Sequence, residues 1–360
     1  MNKNLLIQRP SGLLSGISVA LVALAGLAFS QPGSAQKGGP NQQPPPDPAI
    51  AYVSAASGGE LRVMNADGTN NTIILRKGGA VFPNWSPDGS KIVFESGPYG
   101  VQGHGIYIVN KDGSGLCKVA ALNATSVGFG GGPVWSPVAL ADGKYRIAYS
   151  DRPTPTATYG LDVYVVNADC SNPGAPAQLT FGPGEIGYPS WSRLANHLAV
   201  FRSGEIFDLS VAMNNGAVVV TSEIKVTEFA PFVDTMAGYA DYCRTDERLA
   251  VIGWVPPDGY NTDVWVIDDV NPAYSYNLTN TSVREMYPSW SPDSTEIVYG
   301  RTVETNNTHW EIWKVNLLTG AQTRIAGGSP QSPDGAHPDW RRCIRAGAPC
   351  PQGSVCQICQ

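Results

Sequence analysis

Phe82-Pro83-Asn84-Trp85-Ser86-Pro87-Asp88-Gly89 opens a pattern that the chain then repeats. It returns as Pro133-Val134-Trp135-Ser136-Pro137, Tyr188-Pro189-Ser190-Trp191-Ser192, Tyr287-Pro288-Ser289-Trp290-Ser291-Pro292-Asp293 and His337-Pro338-Asp339-Trp340. The interval from Trp191 to Trp290 is about twice the others, so one copy is hidden inside it. Shifting Trp191 by 51 residues lands on Tyr242, and the same shift carries Tyr188 onto Tyr239 and Leu198-Ala199-Val200 onto Leu249-Ala250-Val251. The chain therefore holds six repeats, the fourth of them degenerate.

Each repeat reads as strands joined by turns. The segment ending in Trp is a short first strand, and Ser-Pro-Asp-Gly is a turn in which Pro presets φ and Gly takes the unfavourable conformation. Lys91-Ile92-Val93-Phe94 and Gly105-Ile106-Tyr107-Ile108-Val109 are β-branched and aromatic, as strands are. They are echoed in the later repeats, for example by Glu296-Ile297-Val298-Tyr299 and Glu311-Ile312-Trp313-Lys314-Val315. A fourth strand follows a second turn, Asn110-Lys111-Asp112-Gly113. Four strands in each of six repeats predict an all-β, six-bladed β-propeller over residues 50–342. Residues 50–76 supply three strands before the first repeat, and only one strand fits after the last turn. The last blade is thus expected to combine an inner strand from 336–342 with three strands from the N-terminal side.

These residues resemble the TolB-type propeller repeat, with its Pro-x-Trp-Ser-Pro-Asp-Gly segment, a strand, and Ile-Tyr-x-x-Asn-x-Asp-Gly. The resemblance spans about residues 50–342 and is closest in the first and fifth matched repeats. It implies the architecture. It leaves several roles open, because this propeller serves periplasmic binding proteins, lipoproteins, peptidase propellers and polysaccharide lyases. The α/β domain that precedes the propeller of TolB itself has no counterpart here before residue 50.

The flanks read differently. Lys3 and Arg9 precede the uncharged run Leu13–Phe29, and Gly33-Ser34-Ala35 is a small-residue cleavage site. Residues 1–35 are therefore expected to be a secretory signal peptide, with an uncleaved N-terminal anchor as the competing reading. Residues 36–49 form a Pro- and Gln-rich tether. All seven Cys follow it, and the last four, Cys343, Cys350, Cys356 and Cys359, crowd into a Cys-rich tail over 343–360. Export to the periplasm or outside makes disulfides the expected state. Cys117 and Cys170, near corresponding turns of adjacent blades, are a candidate pair. The net charge of −6 offers no general drive toward nucleic acid, and no stable membrane insertion is expected after signal cleavage.

The chain carries no Gly-x-Ser-x-Gly elbow and no phosphate-binding loop. Its four His do not pair at metal-ligand spacing. No cofactor, metal or catalytic residue is assigned. The turn residues Asp67, Asp88, Asp112, Asp169 and Asp293 each lie in a separate turn and read as hairpin devices rather than calcium ligands. The repeat Trp, one per blade, read as packing. The best candidate site is positional. The residue before each repeat Pro enters an inner strand, so Phe82, Gly132, Tyr188, Tyr239, Tyr287 and His337 should surround one mouth of the channel. The aromatic members, Phe82, Tyr188, Tyr239 and Tyr287, together with His337, form the predicted ligand site, for a protein segment or an envelope or extracellular glycan. The competing structural role for these rings is to plug the channel. The expected function is non-catalytic binding. The alternative is a carbohydrate-active lyase or hydrolase, which a cluster of Arg284, Glu285 and Glu185 near Tyr287 and Tyr188 would favour.

Overall fold

The computed structural model describes residues 48–54, 58–76, 79–97, 103–123, 131–154, 160–182, 184–226, 238–254, 261–268, 274–303, 309–327 and 335–342. The expected signal peptide over 1–35, most of the expected tether and the Cys-rich tail over 343–360 lie outside these residues. So do the four Cys of the tail.

All described regular structure is β, apart from a single 3₁₀-type residue at Tyr274. The strands form six four-stranded antiparallel sheets. The last blade closes as the repeat arithmetic requires. The C-terminal strand β24 (Gly335–Trp340) pairs with β1 (Ile50–Ser54), which pairs with β2 (Glu60–Met64) and then β3 (Thr72–Leu75). Trp340 lies opposite Ile50, and Asp339 opposite Ala51. The other inner strands are β4 (Ala80–Trp85), β8 (Gly131–Trp135), β12 (Ile186–Trp191), β16 (Gly238–Tyr242) and β20 (Glu285–Trp290). Each touches its two neighbours around the ring, and β24 completes the circle between β20 and β4. Among the described residues no helix is long and apolar enough to cross a membrane.

The turns form where the sequence writes them. In the first blade Ser86 Oγ donates to Asp88 Oδ1 at 2.6 Å and accepts from the Lys91 amide at 2.9 Å. Asp88 Oδ1 accepts from the Ser90 amide at 3.0 Å. Asp67, Asp112, Asp169 and Asp293 likewise accept from the amide two residues on. Each turn Asp therefore satisfies its own hairpin.

The core lies between blades. Six apolar clusters fill the six interfaces. Trp191 of the third blade packs with Ala148, Val163 and Val165 of the second, and Trp85 of the first with Val53, Leu61 and Val63 of the last. Tyr242 takes the Trp position of the degenerate fourth blade, packed against Ala199 and Ile206 of the third. Its hydroxyl donates to Asp208 Oδ1 at 2.8 Å, a bond that a Trp ring could not reproduce in the same way. A disulfide joins Cys117 on β7 (Cys117–Ala121) to Cys170 in a turn of the second blade. Cys243 is a free, buried thiol.

Closure of the ring by two distant segments makes a direct prediction. Deleting residues 50–76 strips three strands from β24 and exposes the Trp85 cluster. The deletion should abolish the cooperative thermal transition. A soluble variant with a single sharp melt would contradict this account of closure.

Candidate functional site

All six inner strands share one irregularity. The pairing register breaks between Val81 and Asn84, Gly131 and Val134, Gly187 and Ser190, Gly238 and Asp241, and Met286 and Ser289. In the last blade, Ala336 and Asp339 flank the corresponding break. The skipped pair is the residue before the repeat Pro and the Pro itself, which has no N–H to offer the ladder. In the fourth blade Ala240 stands where Pro would be. The residue before it has a left-handed backbone in every blade: Phe82 at φ 50°, Gly132 at 56°, Tyr188 at 53°, Tyr239 at 50°, Tyr287 at 61° and His337 at 53°. Only Gly132 adopts this conformation without strain. The cost at the other five is of order 1–3 kcal/mol each.

The bulge aims side chains at the axis. Simple strand alternation predicts that the residues before Pro and before Trp line the channel while Pro faces away. The first half of that reading holds. The bulge brings Pro83, Pro133, Pro189, Pro288 and Pro338 to the channel as well. The amide freed at Tyr188 is satisfied by Ser150 Oγ at 2.9 Å.

The predicted site residues converge. Ring centroids lie 4.3 Å apart for Tyr188–Tyr239, 4.6 Å for Tyr239–Tyr287, 4.0 Å for Tyr287–His337 and 4.2 Å for His337–Phe82. Phe82 and Tyr188 meet edge to face at 5.8 Å across the gap left by Gly132. A Cβ on Gly132 would stand 3.2 Å from Tyr188 Cδ1. The five rings thus form a rosette that constricts the channel, each of them half-buried. They line a chamber of about 90 Å³, room for a few waters.

Burial dominates the electrostatics here. It pushes the Tyr188 hydroxyl up to about 12 and lifts those of Tyr239 and Tyr287 well above the ordinary phenol value. The His337 imidazole is held down to about 3 and is neutral at physiological pH, and its Nδ1 is enclosed without a hydrogen-bond partner. Arg284 acts electrostatically on Tyr239 and Tyr287, and Glu185 on Tyr188. Glu285 does not join them. It is fully buried, its Oε1 accepting from Thr281 Oγ1 at 3.0 Å and its Oε2 facing the Val264 amide at 3.4 Å. Among the described residues no three His, Cys, Asp or Glu gather closely enough to hold a metal ion.

Below the rosette lies a polar tier that sequence reasoning located without seeing its role. It is formed by the residue before each repeat Trp. Asp339 Oδ2 accepts from the Trp85 amide at 2.8 Å, Asn84 Oδ1 from Trp135 at 2.9 Å and Ser190 Oγ from Tyr242 at 3.1 Å. Asp241 Oδ2 accepts from Trp290 at 2.9 Å and Ser289 Oγ from Trp340 at 3.0 Å. Each blade thereby grips the backbone of the next, except at Val134, which has no polar group to offer. The signal was the polar residue just before the repeat aromatic in five of six repeats.

Two predictions follow from this geometry. At Tyr188, Gly should be more stable than Ala by about 1 kcal/mol, because the left-handed backbone reverses the usual order. Denaturant melts of the two variants would check it, and an Ala variant as stable as the Gly would contradict the strain. Burial pushes the Glu285 carboxyl from 4.5 up to about 7. A raised carboxylate favours the fold below pH 4.5 and loses that contribution as pH rises toward 7. The stability of wild type relative to Glu285→Gln should therefore fall by about 3 kcal/mol across that window. A constant difference between their pH–stability curves would refute it.

No family model matches the sequence, and no curated protein does. Solved structures do match in fold. TolB from Acinetobacter baumannii superposes with a TM-score of 0.60 at 18% identity, covering 82% of this chain and 66% of that one. A chain of Kuenenia stuttgartiensis hydrazine synthase gives 0.59 at 13% identity, over 85% of this chain and 50% of that one. A chain of a nidogen–laminin complex gives 0.56 at 8% identity, over 81% and 98%. At such identities the likeness concerns architecture alone. In its fold the chain is a TolB-like six-bladed β-propeller.

Proposed function

We propose that this propeller is an exported, non-catalytic binding protein that takes an extended protein segment at the aromatic end of its channel. The observation that carries the reading is the rosette. Five rings from five blades are brought together by a strained backbone repeated at each. Strain of this kind collects at functional positions. Half-buried Tyr rings give a partner a stacking face and a polar edge at small entropic cost. The fold neighbour from the nidogen–laminin complex supports a protein rather than a small molecule as the partner. Placement in the periplasm or outside the cell rests on the signal-like N-terminus and on the Cys117–Cys170 disulfide, a bond at home in oxidising compartments.

Crosslinked pull-down of the exported protein from its native envelope should recover a protein partner. Replacing both Tyr188 and Tyr287 by Ala should lose that partner while the fold persists. Trp191→Ala should instead cost about 3–5 kcal/mol of stability as a large-to-small core change. Capture undiminished in the double Tyr variant would move the site elsewhere. Recovery of a glycan and no protein would replace the partner class.

A further inference from the structure

The outer rim of the third blade departs from that of the other five. Its outermost strand, β15 (Ala217–Lys225), is nine residues long. In the same place the other blades have β3 and β7, of four and five residues, β11 (Ala177–Gln178) and β19 (Tyr276–Asn277), of two each, and β23 (Gln322–Ala326), of five. On one side β15 pairs with β14 (Glu205–Asn214), through a tight hairpin in which Asn215 and Gly216 both have a left-handed backbone. No described strand pairs with its other side. The strand contains no Pro, its residues 221–224 are exposed, and Ile224 is 59% exposed. A long bare edge is a template for a further strand, and natural proteins keep most of theirs short or covered.

One backbone bond fixes which groups that edge offers. The Val226 amide donates to the Ile206 carbonyl at 2.9 Å, while Lys225 lies opposite Phe207 and Ile224 opposite Asp208. Thr221 is skipped in the pairing with β14, so one unbroken alternation runs from Ser222 onward. Hydrogen-bonding direction alternates along an antiparallel strand. Ser222, Ile224 and Val226 therefore turn their backbone groups toward β14, and Glu223 and Lys225 turn theirs outward. Side chains alternate too, which puts Glu223 and Lys225 on one face and Ile224 on the other. Glu223 pairs with Arg202 at the end of β13 (His197–Arg202), and Lys225 with Glu205 at 3.2 Å.

We propose that the free edge of β15 pairs antiparallel with β15 of a second copy of this chain, about a twofold axis at Ile224. The charges select this register. Centred on Glu223, the pairing would set two carboxylates face to face, and centred on Lys225, two ammonium groups. Centred on Ile224, it sets Glu223 opposite the partner's Lys225 and Lys225 opposite the partner's Glu223, each pair exchanging its outward backbone hydrogen bonds. Opposite charges directly across a pair stabilise a sheet, and like charges destabilise it. The row then runs Arg202, Glu223, the partner's Lys225, the partner's Glu205, with signs alternating from blade to blade and the whole row repeated by the symmetry. On the other face the two Ile224 side chains meet in a non-hydrogen-bonded pair, where approach is closest, and leave water. A contact this short makes a weak, concentration-dependent dimer. It lies at the rim, away from the rosette, and does not depend on the peptide reading.

The test is the association state of the intact protein, read by sedimentation equilibrium from micromolar to millimolar concentration. Wild type should pass from monomer to dimer as concentration rises. Glu223→Lys and Lys225→Glu each place like charges across both pairs, and each alone should raise the dimer dissociation constant about tenfold. Mixed in equal amounts, the two variants again present opposite charges at both pairs, and heterodimers should form with the affinity of wild type. Ile224→Cys should give a covalent dimer under mild oxidation, because the two Cα atoms of such a pair stand about 4.5 Å apart. Tyr188→Ala with Tyr287→Ala should leave association unchanged, which separates this proposal from the one above. A wild type that stays monomeric throughout, its edge left to another segment or another protein, overturns the proposal. So does a dimer that neither charge variant weakens, or a mixture of the two variants that remains monomeric.

Discussion

The ring depends on one recurrent hydrogen bond, from the backbone N–H of five of the six repeat aromatics to the side chain of the preceding blade's inner strand. A blade alone is a small twisted sheet with both faces apolar. Hydrophobic burial between blades supplies the attraction, but it is non-directional and sets no register. The side-chain acceptors do set it. They fix the height of each inner strand against its neighbour and so align the rosette above. Asp339 matters most, since it bonds to the first blade and the fifth from the strand that closes the circle.

The bulges are the second constraint. A regular inner strand would pair its Pro within the ladder, which Pro cannot complete as a donor. Skipping two residues solves that, and the left-handed residue that results throws its side chain toward the axis. Six blades make the same choice, one of them with Gly and one without Pro. The aromatic constriction is thus a product of how these strands accommodate Pro, and the choice of ring at each position is what distinguishes this channel from a plain one.

Much of this was legible in the chain. The spacing of Trp85, Trp135, Trp191, Trp290 and Trp340 located the blades, and Tyr242 betrayed the degenerate one through its neighbours Tyr239 and Leu249. Strand counting at the two ends foretold the pairing of β24 with β1. The convergence of Phe82, Tyr188, Tyr239, Tyr287 and His337 followed from position alone. What stayed hidden was three-dimensional. Alternation along a strand does not reveal a bulge, so the Pro residues at the channel were missed. Glu285 sits two residues from Tyr287 and looks like a companion, yet its side chain turns into the blade. Glu223 and Lys225 read as two surface charges in the sequence, and only the pairing of β15 with β14 shows their backbone groups turned outward.

Closure by β24 has a consequence for how the molecule comes into being. Its partner β1 is among the first parts of the ring to be synthesised, and β24 is the last. Until those final residues appear, β1 presents a bare hydrogen-bonding edge, and the Asp339 acceptor is missing from between the first and fifth blades. Such long-range pairing makes assembly slow and leaves the nascent chain exposed to strand addition by its neighbours. The whole circle stays open until β24 has been made, and this final inner strand acts as the latch.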